Sequence, residues 1–320
     1  MKKIRKFSIN SDSDLSSHQN VANFNLSDVY QHFLKQKSIQ GLTERTISDY
    51  NLHFQYLLNY LGDMPIHELN AEKLFEYTNW MLQEKHLSPM TVNVRLRTLR
   101  SFLRFAFYEN FIKIPLYSKI HLLKTETDTI KPLTQMEIQL LLSKIDISSF
   151  VGFRDYVMIC TLLDTMVRIS ELLNIKRDDV NLKDGLIFLN ASITKTRKSR
   201  VVPLSSKTIK LLQKYLIETV DFENDILFLT FDGRQMIPST WRDRLREYGE
   251  LANISDKRVS PHTFRHTAAL LYIVNGGDPF SLQKILGHTT MEMVRKYVQM
   301  SNEDIKKQHN AFSPLKNLKV

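Results

Sequence analysis

The segment Ser260-Pro261-His262-Thr263-Phe264-Arg265-His266, followed by Leu286-Gly287-His288 and then Tyr297, brings histidines, an arginine and a phenol together at regular spacing. These types suit holding a phosphodiester while a phenol oxygen attacks it. Guanidinium donors fork onto phosphate oxygens, and imidazole exchanges protons near neutral pH. Ser260 and Pro261 read as helix N-cap and first helical position, so His262 and Arg265 sit one turn apart at a positive helix end where an anion docks. The apolar run Leu270 to Val274 continues that helix to Gly276-Gly277. Asp278-Pro279 opens a second helix closed by Gly287, which leaves His288 at the corner. Thr289 with Glu292 makes a capping box for a third helix, on which Val294 and Tyr297 share a face. The phenol is thus expected to face the corner histidine.

A second cluster lies upstream, where Arg168 and Glu171 stand three residues apart in an apolar stretch. A buried arginine needs a partner, and Glu171 can orient the guanidinium while leaving donors for phosphate. Gly185 to Ile193 and Val201-Val202-Pro203-Leu204 then read as a hairpin around a short polar turn. Its tip holds Lys195, Arg197, Lys198 and Arg200, with Lys195 placed where the first strand ends.

Taken jointly, Arg168 with Glu171, a lysine in a hairpin ahead of Val-Pro-Leu, His262-x-x-Arg265, Leu286-Gly287-His288 and Tyr297 nine residues on resemble the tyrosine recombinase (phage integrase) family, Xer-like or transposon-type. That resemblance implies a mainly α fold with a small β-hairpin or sheet. It also implies a two-domain, C-shaped DNA clamp: a helical, SAM-like core-binding domain joined to a mixed α+β catalytic domain. Tyr297 would attack the scissile phosphate, giving a 3'-phosphotyrosyl link and a free 5'-hydroxyl. Arg168 and Arg265 would clamp the non-bridging oxygens, and Lys195 would protonate the leaving oxygen, with Lys198 as its rival. His262 would assist proton removal, His288 would bind the phosphate, and Glu171 would support Arg168. A second 5'-hydroxyl then resolves the link, so neither metal, ATP nor cofactor is required. Implied partners are double-stranded recombination sites and a homotetramer on DNA formed from monomers, in the cytoplasm at the nucleoid. The sequence departs from the family pattern at Thr165-Met166-Val167, where Thr-Gly-Leu is usual, and at Thr194-Lys195-Thr196, where Gly-Lys-Gly is usual. If the glycine replaced by Met166 normally takes a backbone angle closed to other residues, the loop holding Arg168 is shaped differently here, with Arg168 itself retained.

Plainer readings compete at each position. Tyr297 taken alone would be a core tyrosine, Arg168 and Glu171 a structural ion pair, and the basic tip a solvated turn. His262, His266 and His288 together could bind zinc, although an arginine between the first two repels a cation. Two other functions share much of the pattern: relaxation like a type IB topoisomerase, and an architectural DNA-binding protein without catalysis.

The surrounding sequence fits a nucleic-acid enzyme. The chain has 320 residues and a formal charge of +10, which favours a polyanionic partner. No long apolar segment points to a membrane, and the single cysteine, Cys160, forms no internal disulfide. The basic start Met1-Lys2-Lys3 lacks a following apolar run and is not read as a signal peptide, and no arm-binding domain is expected ahead of Asn25. Residues 1–22 read as a polar arm, 23–120 as the core-binding domain, 121–131 as a linker and 132–320 as the catalytic domain. Within the first domain, Thr43 caps a helix ending at Gly62. Ser88-Pro89 opens another, with Leu96, Leu99 and Leu103 inward and Arg97, Arg100 and Arg104 forming a stripe suited to DNA phosphates. Residues 302–320 are expected to dock on a neighbouring protomer through Ile305, Phe312 and Leu315, or else to pack on their own domain. Between about 225 and 242, Ile226 to Leu229 could add a short strand before a helix at Trp241.

Overall fold

The computed structural model describes residues 24–125, 131–295, 297, 298, 306, 309, 310, 313 and 315. The chain divides into two compact units, Met1–Asp128 and Thr129–Val320. The predicted arm (1–22) and the anchors Ile305 and Phe312 lie outside the described residues, while Leu315 is exposed.

The first unit is built from helices α1 (Leu26–Ile39), α2 (Glu44–Leu61), α3 (Ala71–Gln83) and α4 (Pro89–Tyr108). Their starts follow the capping residues: Thr43, Asn70 and Ser88 each accept a backbone N–H through the side chain, and Gly62 ends α2 with φ +68°. Tyr30 and Phe54 stack with ring centroids 3.6 Å apart, and Phe33 and Phe102 complete the aromatic centre. Leu96, Leu99 and Leu103 of α4 face this core, and the helical period carries Arg97 and Arg104 to the exposed side.

The second unit wraps α5 (Gln135–Ser143), α6 (Phe150–Thr165), α7 (Ile169–Leu172), α8 (Ser206–Glu218), α9 (Pro238–Leu251), α10 (Pro261–Val274), α11 (Pro279–Leu286) and α12 (Glu292–Arg295) around a three-stranded antiparallel sheet. The strands are β1 (Val180–Asn181), β2 (Leu186–Leu189) and β3 (Arg200–Pro203), with Ile187 paired to Val202 and Leu189 to Arg200. Period-two burial puts Ile187, Leu189 and Val202 under the helices. Inside, the fully buried Asp155 of α6 accepts from Arg154, from Arg244 of α9 and, at 2.8 Å, from the Tyr248 hydroxyl. Burial and the adjoining Asp155 charge push the Tyr248 phenol up to about 12. This network ties α6 to α9, so removing Asp155 would leave buried cations uncompensated.

The short strand left open between 225 and 242 does not form, and the helix expected from Trp241 begins earlier. Residues 226–235 add no strand to the sheet: only isolated bridges form there (Lys176 with Ile226, Leu229 with Gln235), because the Thr230–Arg234 turn closes on itself. The helix beyond it starts at Pro238, which places the fully buried Trp241 in its first turn.

Candidate active site

The site is assembled where α6 ends. Thr165 is its last residue, and Met166 takes φ 53°, ψ 26° as C-cap, a left-handed backbone normally left to glycine. Where a glycine is usual, Met166 enters the left-handed region itself. Its side chain offsets the strain by burial, lying in one apolar cluster with Leu282, Leu286, Val294 and Tyr297. The chain then turns into α7 with Arg168 at its N-cap. Glu171, fully buried, accepts the Arg168 backbone N–H at 2.9 Å and its Nη1 at 3.0 Å. The Arg168 side chain keeps 22% exposure.

Arg200, expected at the hairpin tip as a DNA contact, is instead turned inward and 10% exposed. Its Nη1 and Nη2 donate to Glu171 at 3.1 and 2.6 Å, and its Nε to the Ile285 carbonyl at 2.9 Å. The reason is strand register: Arg200 is the first residue of β3, opposite Leu189, and not part of the loop. Burial pushes the Glu171 carboxyl up, but hydrogen bonds from Arg200 and the Arg168 amide outweigh this and hold it below the usual carboxylate range.

Helix α10 supplies the second arginine. Ser260 caps it by accepting the Thr263 N–H, and Arg265, one turn in, is 6% exposed. Its Nη1 donates to the Met166 carbonyl, and its Nη2 donates to the Leu286 carbonyl at 2.7 Å and approaches His288 Nε2 at 3.3 Å. Guanidinium has no acceptor, so in that contact His288 Nε2 must be unprotonated. Burial first, then the Arg168 charge, lowers the Arg265 pKa to about 10, with Glu171, Arg200 and Tyr297 also within electrostatic reach. Arg265 is still a cation at neutral pH. It is held at a desolvation cost that an incoming anion would offset.

Tyr297 is buried, with its ring centroid 5.1 Å from that of His266. It does not lie on the third helix as expected: α12 stops at Arg295, and Tyr297 sits in a turn beyond it, its N–H donated to Val294 at 2.8 Å. His262 is exposed in the first turn of α10, and His288 is half-buried where its N–H meets the Gln283 carbonyl at the Gly287 corner. Among the described residues no three His, Cys, Asp or Glu side chains group as metal ligands, which leaves the zinc reading without a site.

The lysines are placed differently. β2 ends at Leu189, so Lys195 lies in the middle of a loop spanning 190–199 and not at the strand end. Buried Thr194 organises this loop, its hydroxyl donating to Ala191 and Lys198 carbonyls and accepting the Lys198 N–H. Lys195, Arg197 and Lys198 are all exposed on it. Geometry thus joins Arg168, Glu171, Arg265, His288 and Tyr297, and leaves Lys195 and Lys198 as open alternatives. A groove lined by Arg242, Arg246, Arg258 and Ser260 together with Asp243 and Glu250 opens beside the His262 turn, a mixed-charge surface in which Arg246 is paired to both carboxylates.

In the first unit, Arg97, Arg100 and Arg104 line one groove with Lys37. Arg97 and Arg104 are exposed, Arg104 over the Tyr117 ring at 5.3 Å, while Arg100 is half-buried and donates to the Ile120 carbonyl.

Both units of the chain are similar to known proteins. Residues 131–304 match the phage integrase family and residues 25–122 the phage integrase SAM-like domain. Tyrosine recombinase XerD of Listeria monocytogenes is 27% identical over 90% of this chain and 99% of its own length, and XerD of Vibrio cholerae is 26% identical over 86% and 92%. Among solved structures, the Tn1549 transposon integrase in complex with a circular intermediate DNA aligns over 90% of this chain and 99% of its own, with a TM-score of 0.74 and 21% identity. A lambda integrase dimer bound to a core site aligns over 86% and 95%, with a TM-score of 0.72 and 17% identity.

Proposed function

Since this chain belongs to the phage integrase family and is a site-specific tyrosine recombinase, we propose that Tyr297 is its nucleophile and that Arg168 and Arg265 hold the phosphate it attacks. The observation that carries this reading is the convergence of two separately anchored guanidinium groups on one buried patch. Arg168 is fixed by Glu171 and Arg265 by two backbone carbonyls, with Tyr297 within electrostatic reach. Anchored cations stabilise the charge that builds on non-bridging oxygens without reorganising during the reaction. The tyrosine oxygen forms a bond to phosphorus as the bond to the 5'-oxygen breaks. His262 assists removal of the phenol proton, and a lysine of the 190–199 loop, Lys195 or Lys198, gives a proton to the leaving oxygen. A 5'-hydroxyl of another strand then reverses these steps and frees Tyr297. An arriving phosphate replaces His288 Nε2 as a partner of Arg265 Nη2, which lets the imidazole turn and donate to it.

DNA is the substrate, and the stripe Arg97, Arg100 and Arg104 supplies phosphate contacts of low sequence preference. The working assembly on paired sites is a homotetramer formed from free monomers. This assembly has a counterpart in the lambda integrase tetramer bound to a Holliday junction. No helix among the described residues is long and apolar enough to cross a membrane. The reading is tested by mixing the protein with two plasmids that carry its site. Joined plasmids are expected. Relaxation without joining would indicate a topoisomerase, and binding with neither outcome an architectural protein.

A further inference from the structure

Arg200 has a placement that phosphate binding does not explain. We propose that Arg200 is a positioning residue for strand cleavage, bracing Glu171 on one side and the Leu286-Gly287-His288 corner on the other so that Arg168 keeps donors directed at the phosphate. The inference rests on the reading of Arg168 given above.

Glu171 is fully buried and receives four donors: Nη1 and Nη2 of Arg200, and Nη1 and the backbone N–H of Arg168. Four donors fill the sites of a carboxylate. Without Arg200, two of those sites open inside the protein, and the nearest cation able to fill them is Arg168. Its guanidinium would then swing into a two-pronged pair with Glu171 and turn away from the phosphate. Arg200 is also locked against the corner that carries His288. Its Nε donates to Ile285 in the last turn of α11, and a Cβ at Gly287 would lie 3.1 Å from Arg200 Cδ and Nη1 and 3.2 Å from Cζ. Glycine suits this corner in two ways, by its φ of +63° and by leaving room for the close approach of this guanidinium. Through Arg200, the strand that follows the 190–199 loop is joined to both arginine anchors, because the Leu286 carbonyl beside this corner holds Arg265.

The charged groups facing Glu171 are Arg168, Arg200 and, at longer range, Arg265. Arg200 supplies the strongest influence that lowers its carboxyl, and burial alone would raise it. An Arg200 variant should thus allow Glu171 to protonate at higher pH.

The test compares the full-length chain with Arg200→Gln and Arg200→Lys on a nicked substrate bearing the native site, at saturating DNA. For Arg200→Gln, phosphotyrosyl formation should fall about 10- to 100-fold, as when a group orienting a catalytic residue is lost. Its rate should gain an acid limb absent from the parent, while the DNA dissociation constant and its salt slope stay unchanged. Arg200→Lys, which keeps the cation and loses the fork, should recover part of the rate and move the limb back toward the parent. It also carries the test if Arg200→Gln melts below the assay temperature. In a Glu171→Gln background the further loss from Arg200→Gln should nearly vanish. An unchanged cleavage rate, or a salt slope reduced by about 1 with the rate at saturation intact, would make Arg200 a DNA contact and overturn the proposal. If the parent itself forms no adduct, the reading of the whole site fails, an outcome distinct from parent and variants cleaving alike.

Discussion

Arginine does two different jobs in the two units of this molecule. On α4, Arg97 and Arg104 are exposed, whereas in the second unit Arg265 is 6% exposed and the half-buried Arg168 is paired to the fully buried Glu171. Exposed guanidinium groups interact through water and salt, so they supply affinity that is diffuse and easily screened. Arg168 and Arg265 have some donors fixed on a carboxylate or on carbonyls, so the donors that remain are held in a set direction. The residue type is the same, and anchoring separates binding from chemistry.

Breaking an anchor should have the largest effect. Arg168→Ala is expected to slow phosphotyrosyl formation about 10²- to 10³-fold at saturating DNA, as measured for other preorganised donors to developing oxyanions, while filter binding shows little change in affinity. The stripe should behave in the opposite sense. Replacing the exposed Arg97 and Arg104 together by Ala should reduce the slope of log affinity against log salt by about 1.8, leaving the cleavage rate at saturating DNA unchanged. Equal loss of rate from both variants would erase the distinction.

Two smaller effects sharpen the picture of the anchored side. Met166→Gly relieves a left-handed strain of about 1 to 2 kcal/mol but removes a buried side chain worth about 2 to 5 kcal/mol. A net destabilisation in urea titrations is therefore expected, with glycine no better here despite the backbone angle. Glu171 has a carboxyl pKa lowered by folding, so it contributes stability above the ordinary carboxylate pKa of 4.5 that is lost as pH falls through its depressed value. The melting temperature of the parent should accordingly drop more steeply on acidification below 4.5 than that of Glu171→Gln.

Much of this site was legible in the sequence because its parts are local. The Ser260 cap, the Gly287 helix stop and the Arg168 to Glu171 spacing are each fixed within a few residues. What escaped depends on tertiary register. Arg200 looks like one more basic residue of a hairpin tip until its pairing with Leu189 sets where the strand begins, and its true partners lie 29 and 85 residues away. The Thr194 loop hid the end of β2 for the same reason: side-chain hydrogen bonds, not an apolar pattern, set its length. Met166 was legible as an exception, but only packing shows that its side chain joins the cluster around Tyr297.

The most direct test maps the residue left covalently joined to DNA after the full-length protein reacts with a nicked substrate carrying its native flanking sequence. A 3'-phosphate linked to Tyr297, lost in Tyr297→Phe, is the predicted result. An adduct at another residue, or one that persists in Tyr297→Phe, would contradict the account.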